Sequence, residues 1–289
     1  MMIQELRTAF WVLSIGLMTY SACGPDTAQT EDGASTTTGD DASSTDSPTD
    51  SPTGSSTGAP EPCSRVHEGD LYVLEDTDLT SLADIGRVAG QLAIFMGERD
   101  QRDLSFLSCL HTIDDKLVID MNSLLESTEG LENLRSVKVV SITNNRNLRM
   151  VAGFNQIREL VGLVVRVNPA IEEIQLDSIE TATWVQIGQC SGIKGTASHL
   201  ALVDLSGFSG LTMVRDLGIE GNEALMSVDL LDALAANGGV TPLTNAIIRF
   251  NQLLPETAVH ERLDALGVQN RDVCGNANGD PECFCEVDG

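Results

Sequence analysis

What most limits the folds open to this chain is a repeat of about 23 residues. An apolar residue, one spacer and an apolar anchor recur, and another apolar residue follows six positions after the anchor. The anchors are Val73, Ile94, Ile119, Ile142, Val165, Ile187, Ile219 and Ile248, at spacings of 21, 25, 23, 23, 22, 32 and 29. Their partners are Leu79, Leu125, Leu148, Ile171, Ile193, Leu225 and Leu254, with extra residues in the second repeat delaying its partner to Leu104. The two long spacings predict insertions near 194–205 and 236–243. A unit this small cannot bury its own apolar face, so successive units must stack and share one core.

A second register lies three residues after each anchor: Asp76, Gly97, Asn122, Asn145, Asn168, Cys190, Asn222 and Asn251. Asn tolerates turns, and its amide bonds neighbouring backbone groups. Stacked at one position, these side chains predict a structural ladder through the turns. Each unit reads as a strand, a turn, a second short strand or turn, and a third apolar stretch such as Leu131-x-x-Leu134-x-x-Val137 or Phe154-x-x-Ile157-x-x-Leu160. An aromatic content of 4% suits thin coils packed with Leu, Ile and Val. Val259, Leu263 and Leu266 at helical spacing predict a short helix over Glu256–Leu266, near the closing end.

The 289 residues carry 17 Lys+Arg against 43 Asp+Glu, a formal net charge of −26. Nucleic-acid binding depends on neutralising phosphates with basic side chains, so this charge excludes it. It also excludes electrostatic attachment to an anionic membrane surface. Cys23 to Cys63 holds eight acids and no base, and the remaining C-terminal part carries a net −18. That balance favours solubility and a neutral or basic partner.

The apolar run Thr8–Ala22 is short for a bilayer span and reads as the core of a signal peptide over residues 1–22. Tyr20-Ser21-Ala22-Cys23 resembles the lipobox of bacterial lipoproteins, departing from it at Tyr20, where that family prefers Leu. The resemblance implies lipidation of Cys23 and an exported chain anchored to the bacterial cell envelope, at the outer membrane or cell surface. The membrane is then met through the lipid alone. Residues 23–61 are rich in Ser, Thr, Asp and Pro. They hold too little apolar surface to offset the entropy of ordering and predict a disordered tether.

The repeated text resembles the receptor L domain, a right-handed β-solenoid found in growth-factor and insulin receptors and in bacterial surface proteins. The segments that carry this likeness are Gly90-Gln91-Leu92-Ala93-Ile94, Asp103-Leu104-Ser105-Phe106-Leu107, Leu117-Val118-Ile119-Asp120-Met121-Asn122-Ser123-Leu124 and Val165-Arg166-Val167-Asn168-Pro169-Ala170-Ile171. The resemblance implies a mainly β solenoid of about eight coils over 62–271, followed by a Cys-rich tail over 272–289. It further implies extracellular recognition of a protein or glycan without catalysis. The leucine-rich-repeat horseshoe is the alternative fold. Scattered Gly and Thr in the third stretches, and the break in helical pattern at Glu180–Thr183, count against it.

With Cys23 lipidated, six cysteines remain: Cys63, Cys109, Cys190, Cys274, Cys283 and Cys285. An even number in an exported chain predicts three disulfides. A buried free thiol at Cys190, in its ladder position, leaves an odd five, and spacing alone does not decide between these. The L-domain resemblance implies a Cys63–Cys109 staple. Cys274, Cys283 and Cys285 lack zinc-site spacing, and no His follows His260, so they read as disulfide candidates.

No catalytic residue, cofactor or metal site is assigned from motifs. His67, His111, His199 and His260 show no paired spacing and read as surface or loop residues. Gly207-Phe208-Ser209-Gly210-Leu211 lacks the last Gly of a nucleophile elbow. A carbohydrate-active solenoid hydrolase or lyase, and an envelope spacer without a ligand, are the alternative functions. The neighbours of each anchor point away from the core. Tyr72, Leu74, Phe95 and Val118 therefore form an outward apolar patch. Tyr72, Phe95, Arg166 and Arg249 are the partner-binding candidates, because aromatics and Arg dominate binding hot spots.

Overall fold

The computed structural model describes residues 63–189, 199, 201–236, 243–279 and 283. The expected signal peptide, Cys23, the expected tether, Cys190, Ile193 and Cys285 lie outside the described residues.

Among the described residues the chain is mainly β, and every strand pair is parallel. The strands are β1 (Arg65–His67), β2 (Leu71–Leu74), β3 (Ile85–Val88), β4 (Leu92–Phe95), β5 (Thr112–Ile113), β6 (Lys116–Asp120) and β7 (Val139–Thr143). They continue with β8 (Met150–Val151), β9 (Glu159–Arg166), β10 (Glu173–Ile174), β11 (Thr181–Gly188), β12 (Met213–Glu220), β13 (Asn245–Arg249) and β14 (Asn270–Cys274). Nine of them form one sheet in the order β14-β13-β12-β11-β9-β7-β6-β4-β2, beside a three-stranded sheet β1-β3-β5 and the pair β8-β10.

The anchors explain the large sheet. Val73, Ile94, Ile119, Ile142, Val165, Ile187, Ile219 and Ile248 are all 0% exposed. Each pairs in register with the next. A one-residue slip would turn a strand's apolar set outward, so this column of branched side chains fixes the register. The column extends one strand further than the eight anchors, because Ile248 pairs with Val273 on β14. The sheet therefore crosses the expected domain boundary at residue 271. The third stretches also face the core; those holding Leu131, Leu134, Phe154 and Ile157 are buried and not helical, while Leu79–Leu82, Ser105–Leu107 and Ser206–Phe208 are single 3-10 turns. The predicted closing helix is observed as α2 (Glu256–Ala265). An unforeseen helix, α1 (Asp229–Ala236), precedes it and buries Leu230, Leu231 and Leu234.

Six of the nine strands end in the same turn. The residue two after the anchor takes a left-handed conformation: Met121, Asn144 and Val167 at φ 55°, Phe250 at 58°, Gly221 at 67° and Gly275 at 65°, whereas after β4 and β11 the left-handed residue is Gly97 or Gly188 instead. In an unbroken strand the third residue after an inward side chain would point outward. The left-handed residue reverses that phase and turns the Asn inward, where Asn145, Asn168, Asn222 and Asn251 are 0% exposed. Asn145 Oδ1 accepts from Asn122 N and Nδ2, each at 3.0 Å, and Asn145 Nδ2 donates to Ile119 O at 3.0 Å and Thr143 O at 2.8 Å. Asn168 and Asn251 repeat this pattern. Each rung's side chain thus satisfies backbone groups on its own repeat and on the preceding one, and meets the following repeat through that repeat's ladder side chain.

The ladder differs from its expected membership in three places. Asp76 is exposed and makes no rung; on that first coil Thr77 Oγ1 accepts from Leu74 N at 2.8 Å instead. Asn276, three residues after Val273, is an added rung, its Oδ1 accepting from Asn251 N and Nδ2 at 3.1 Å. His199, read as a surface or loop residue, is 0% exposed, forms a parallel bridge with Asn222 and bonds its Oδ1. It stands 23 residues before Asn222, so the long spacing of 32 is one normal coil with nine residues inserted ahead of the rung.

Candidate functional site

The large sheet has two faces. One carries the anchor column into the core, and the other carries the anchors' neighbours. Parallel sheets are ordinarily covered on both faces. Here the second face holds exposed side chains, with Tyr72 47% and Leu74 44% exposed on β2. Leu74 is in register with Phe95 on β4, which is half-buried. This end of the face carries the expected apolar patch.

The four partner-binding candidates share this face, but the structure does not gather them into one site. Tyr72 and Phe95 sit on adjacent strands, Arg166 is three strands beyond Phe95, and Arg249 lies seven strands from Tyr72. At ordinary strand spacing that last distance is about 34 Å. Arg249 is moreover engaged within the fold. Its side chain is 17% exposed and pairs with Glu220 and Asp272, each at 3.0 Å. These two ion pairs tie β12, β13 and β14 together across the face, so the candidate Arg249 is engaged within the fold. Arg166 forms no ion pair among the described residues.

Near the centre, Lys116 also lacks an ion-pair partner among the described residues. Burial pushes its ammonium below the usual lysine range, and the charge of Arg166 adds to that effect, while Asp115 and Asp120 oppose it. Thr143 Oγ1 and Asn144 Nδ2 both donate to Asp120 Oδ1 at 2.8 Å, holding its carboxylate at the rim. Trp184 on β11 stands on the same face, partly exposed, with its ring across Gly162 on β9. Reasoning from the repeat missed this residue. The signal was present, since Trp184 lies three positions before an anchor and is the only tryptophan after Trp11.

Two disulfides are formed among the described residues, Cys63–Cys109 and Cys274–Cys283. The first joins the chain before β1 to the coil before β5. The second closes the end of β14. No cluster of three His, Cys, Asp or Glu able to hold a metal occurs among the described residues, and no described helix is long and apolar enough to cross a membrane. No family model, curated protein or solved structure matches the chain.

Proposed function

We propose that the chain is a lipid-anchored bacterial surface protein that displays an L-domain-like right-handed β-solenoid. In this reading the second face of its nine-stranded sheet recognises a protein or glycan, and the domain is not catalytic. The observation that carries the reading is the second sheet face, on which Tyr72 and Leu74 are exposed beside Phe95. An apolar patch on a hydrogen-bonded sheet is a surface that a partner can cover without ordering any loop. The unbroken anchor column and the Asn ladder support the solenoid. Tyr20-Ser21-Ala22-Cys23 supports the anchor, and the acidic tether would hold the domain away from the membrane.

Capture from an envelope extract with the intact protein tests this reading. A specific protein or glycan should be retained, and the double variant Tyr72→Ala, Leu74→Ser or Trp184→Ala should lose it. Failure of any envelope component to bind, or unchanged capture by all variants of this face, refutes recognition by the sheet. Cys23→Ala should move the protein from the membrane fraction to the soluble fraction, and persistence in the membrane refutes the anchor.

A further inference from the structure

One row across the sheet face is built around Trp184. In register it reads Lys116, Val139, Gly162, Trp184, Asp216 and Asn245, on β6, β7, β9, β11, β12 and β13. A Cβ on residue 162 would stand 2.0 Å from Trp184 Cζ2 and 2.1 Å from Cε2, so the indole can lie across β9 only because position 162 is glycine. The ring covers Gly162 and remains partly exposed itself. On the opposite flank Gly218 stands in register with Gln186 and adds no side chain of its own to the floor, which Gln186 Cγ and Glu220 Oε1 border. The rim is polar. Lys116 and Gln186 are half-buried, Asp216 accepts from Arg215 at 2.8 Å, and Asn245 donates to Asp216.

We propose that this row is a binding strip for a neutral oligosaccharide, with Trp184 stacking on one pyranose ring, Gln186 and Asp216 bonding hydroxyls beside it, and Lys116 and Asn245, about 14 Å and about 10 Å from β11 along the row, bonding hydroxyls of the flanking sugars. The proposal rests on the reading of this face as a recognition surface and names its ligand class. A pyranose has a face of C–H groups and a rim of hydroxyls, so a flat aromatic platform bordered by donors and acceptors satisfies both at once. A peptide strand has no place here, because β6, β7, β9, β11 and β12 are each paired on both edges and cannot accept another strand. The domain's net −18 repels polyanions, and Lys116 and Arg166, near enough on this face for their charges to interact, oppose a cationic sugar.

The chain has two tryptophans, Trp11 and Trp184, so in the full chain carrying Trp11→Phe the tryptophan emission reports Trp184 alone. The probes are neutral hexasaccharides of glucose, N-acetylglucosamine, mannose and xylose, with hexagalacturonate as the acidic arm. At least one neutral probe should shift the emission to the blue with saturable binding that varies little with salt. By calorimetry, Trp184→Ala should weaken that binding by at least about ten-fold, and so should Gly162→Val, which keeps the indole but lifts it from the sheet. Asp76→Ala should leave it unchanged, and urea midpoints identify any variant that fails to fold. Preference for hexagalacturonate, binding insensitive to Trp184→Ala in a folded variant, or no emission change with any neutral probe overturns the proposal. If these probes fail while the same face still captures an envelope protein, the ligand class is wrong and the recognition reading stands. If both fail, both are wrong.

Discussion

His199 and Asn222 meet in the core, with Nδ1 and Oδ1 2.6 Å apart. Asn222 Nδ2 donates to Ile187 O, Glu220 O and Asn251 Oδ1, so Asn222 meets the imidazole with its oxygen, and His199 Nδ1 carries the proton. His199 Nε2 is buried with no hydrogen-bond partner among the described residues. Protonating it would place an unpaired charge inside the domain. Burial accordingly pushes the His199 pKa down from 6.5 to about 4, against the smaller upward pull of the Asn222 bond.

That shift makes stability depend on pH with a definite sign. Between about 6.5 and about 4 the unfolded chain binds a proton that the folded one rejects, so stability falls as pH drops through this window and levels off below it. The full effect is roughly 3 kcal/mol. His199→Asn extends the ladder with a group that does not titrate. Urea unfolding at a series of pH values should show this variant losing less stability than the parent between pH 6.5 and 4. Parallel pH profiles would mean that His199 is not buried in its neutral form.

The ladder carries a second prediction. Asn145→Ala removes an acceptor used by Asn122 N and Nδ2 and a donor used by Ile119 O and Thr143 O. Each buried group left unpaired costs about 1–3 kcal/mol, so the urea midpoint should fall by the equivalent of about 3 kcal/mol or more. Asp76→Ala, at the same repeat position but exposed, should stay within about 0.5 kcal/mol of the parent. Equal losses in the two variants would mean that the ladder is not a principal support.

The contrast between these two residues shows what was legible in the sequence. The anchor column was readable because each anchor is a branched apolar residue at a nearly constant period, and burial of one face leaves that pattern in any stacked coil. The interior rungs were readable because the turn geometry demands an amide there. The ends of the ladder were not. Among the described residues no repeat precedes Asp76 for it to satisfy, and Thr77 takes over the local turn. Val273 and Asn276 continue the register, but they lie in a segment whose cysteines drew the reading toward a tail. His199 was hidden by the inserted residues, although its separation of 23 from Asn222 preserves the period. Trp184 lay outside the apolar and Asn positions of the repeat, and the register of β9 and β11 brings it over Gly162.

The disulfides give a third prediction. Cys63 and Cys109 are 46 residues apart, Cys274 and Cys283 only 9. A staple that closes a longer loop removes more entropy from the unfolded chain, about 4 kcal/mol for a loop of the first size. The double variant Cys63→Ser, Cys109→Ser should therefore lower the thermal midpoint more than Cys274→Ser, Cys283→Ser. Differential scanning calorimetry of the two checks the order. The reverse order would place the main constraint at the C-terminal end.

Val167 provides the last prediction, from a strain that the repeat itself shows how to remove. Its φ of 55° is a left-handed conformation in a β-branched residue, which costs roughly 1–2 kcal/mol relative to a residue that adopts it readily. The side chain is 39% exposed, so little packing is at stake. One coil earlier the same position is Asn144, also at 55°. Val167→Asn should therefore raise stability by about 1 kcal/mol, read as a higher urea midpoint with an unchanged slope. A destabilised Val167→Asn would mean that the valine's packing against the turn outweighs its backbone strain. The other positions of this turn set the scale, because Gly221 and Gly275 hold it without that strain.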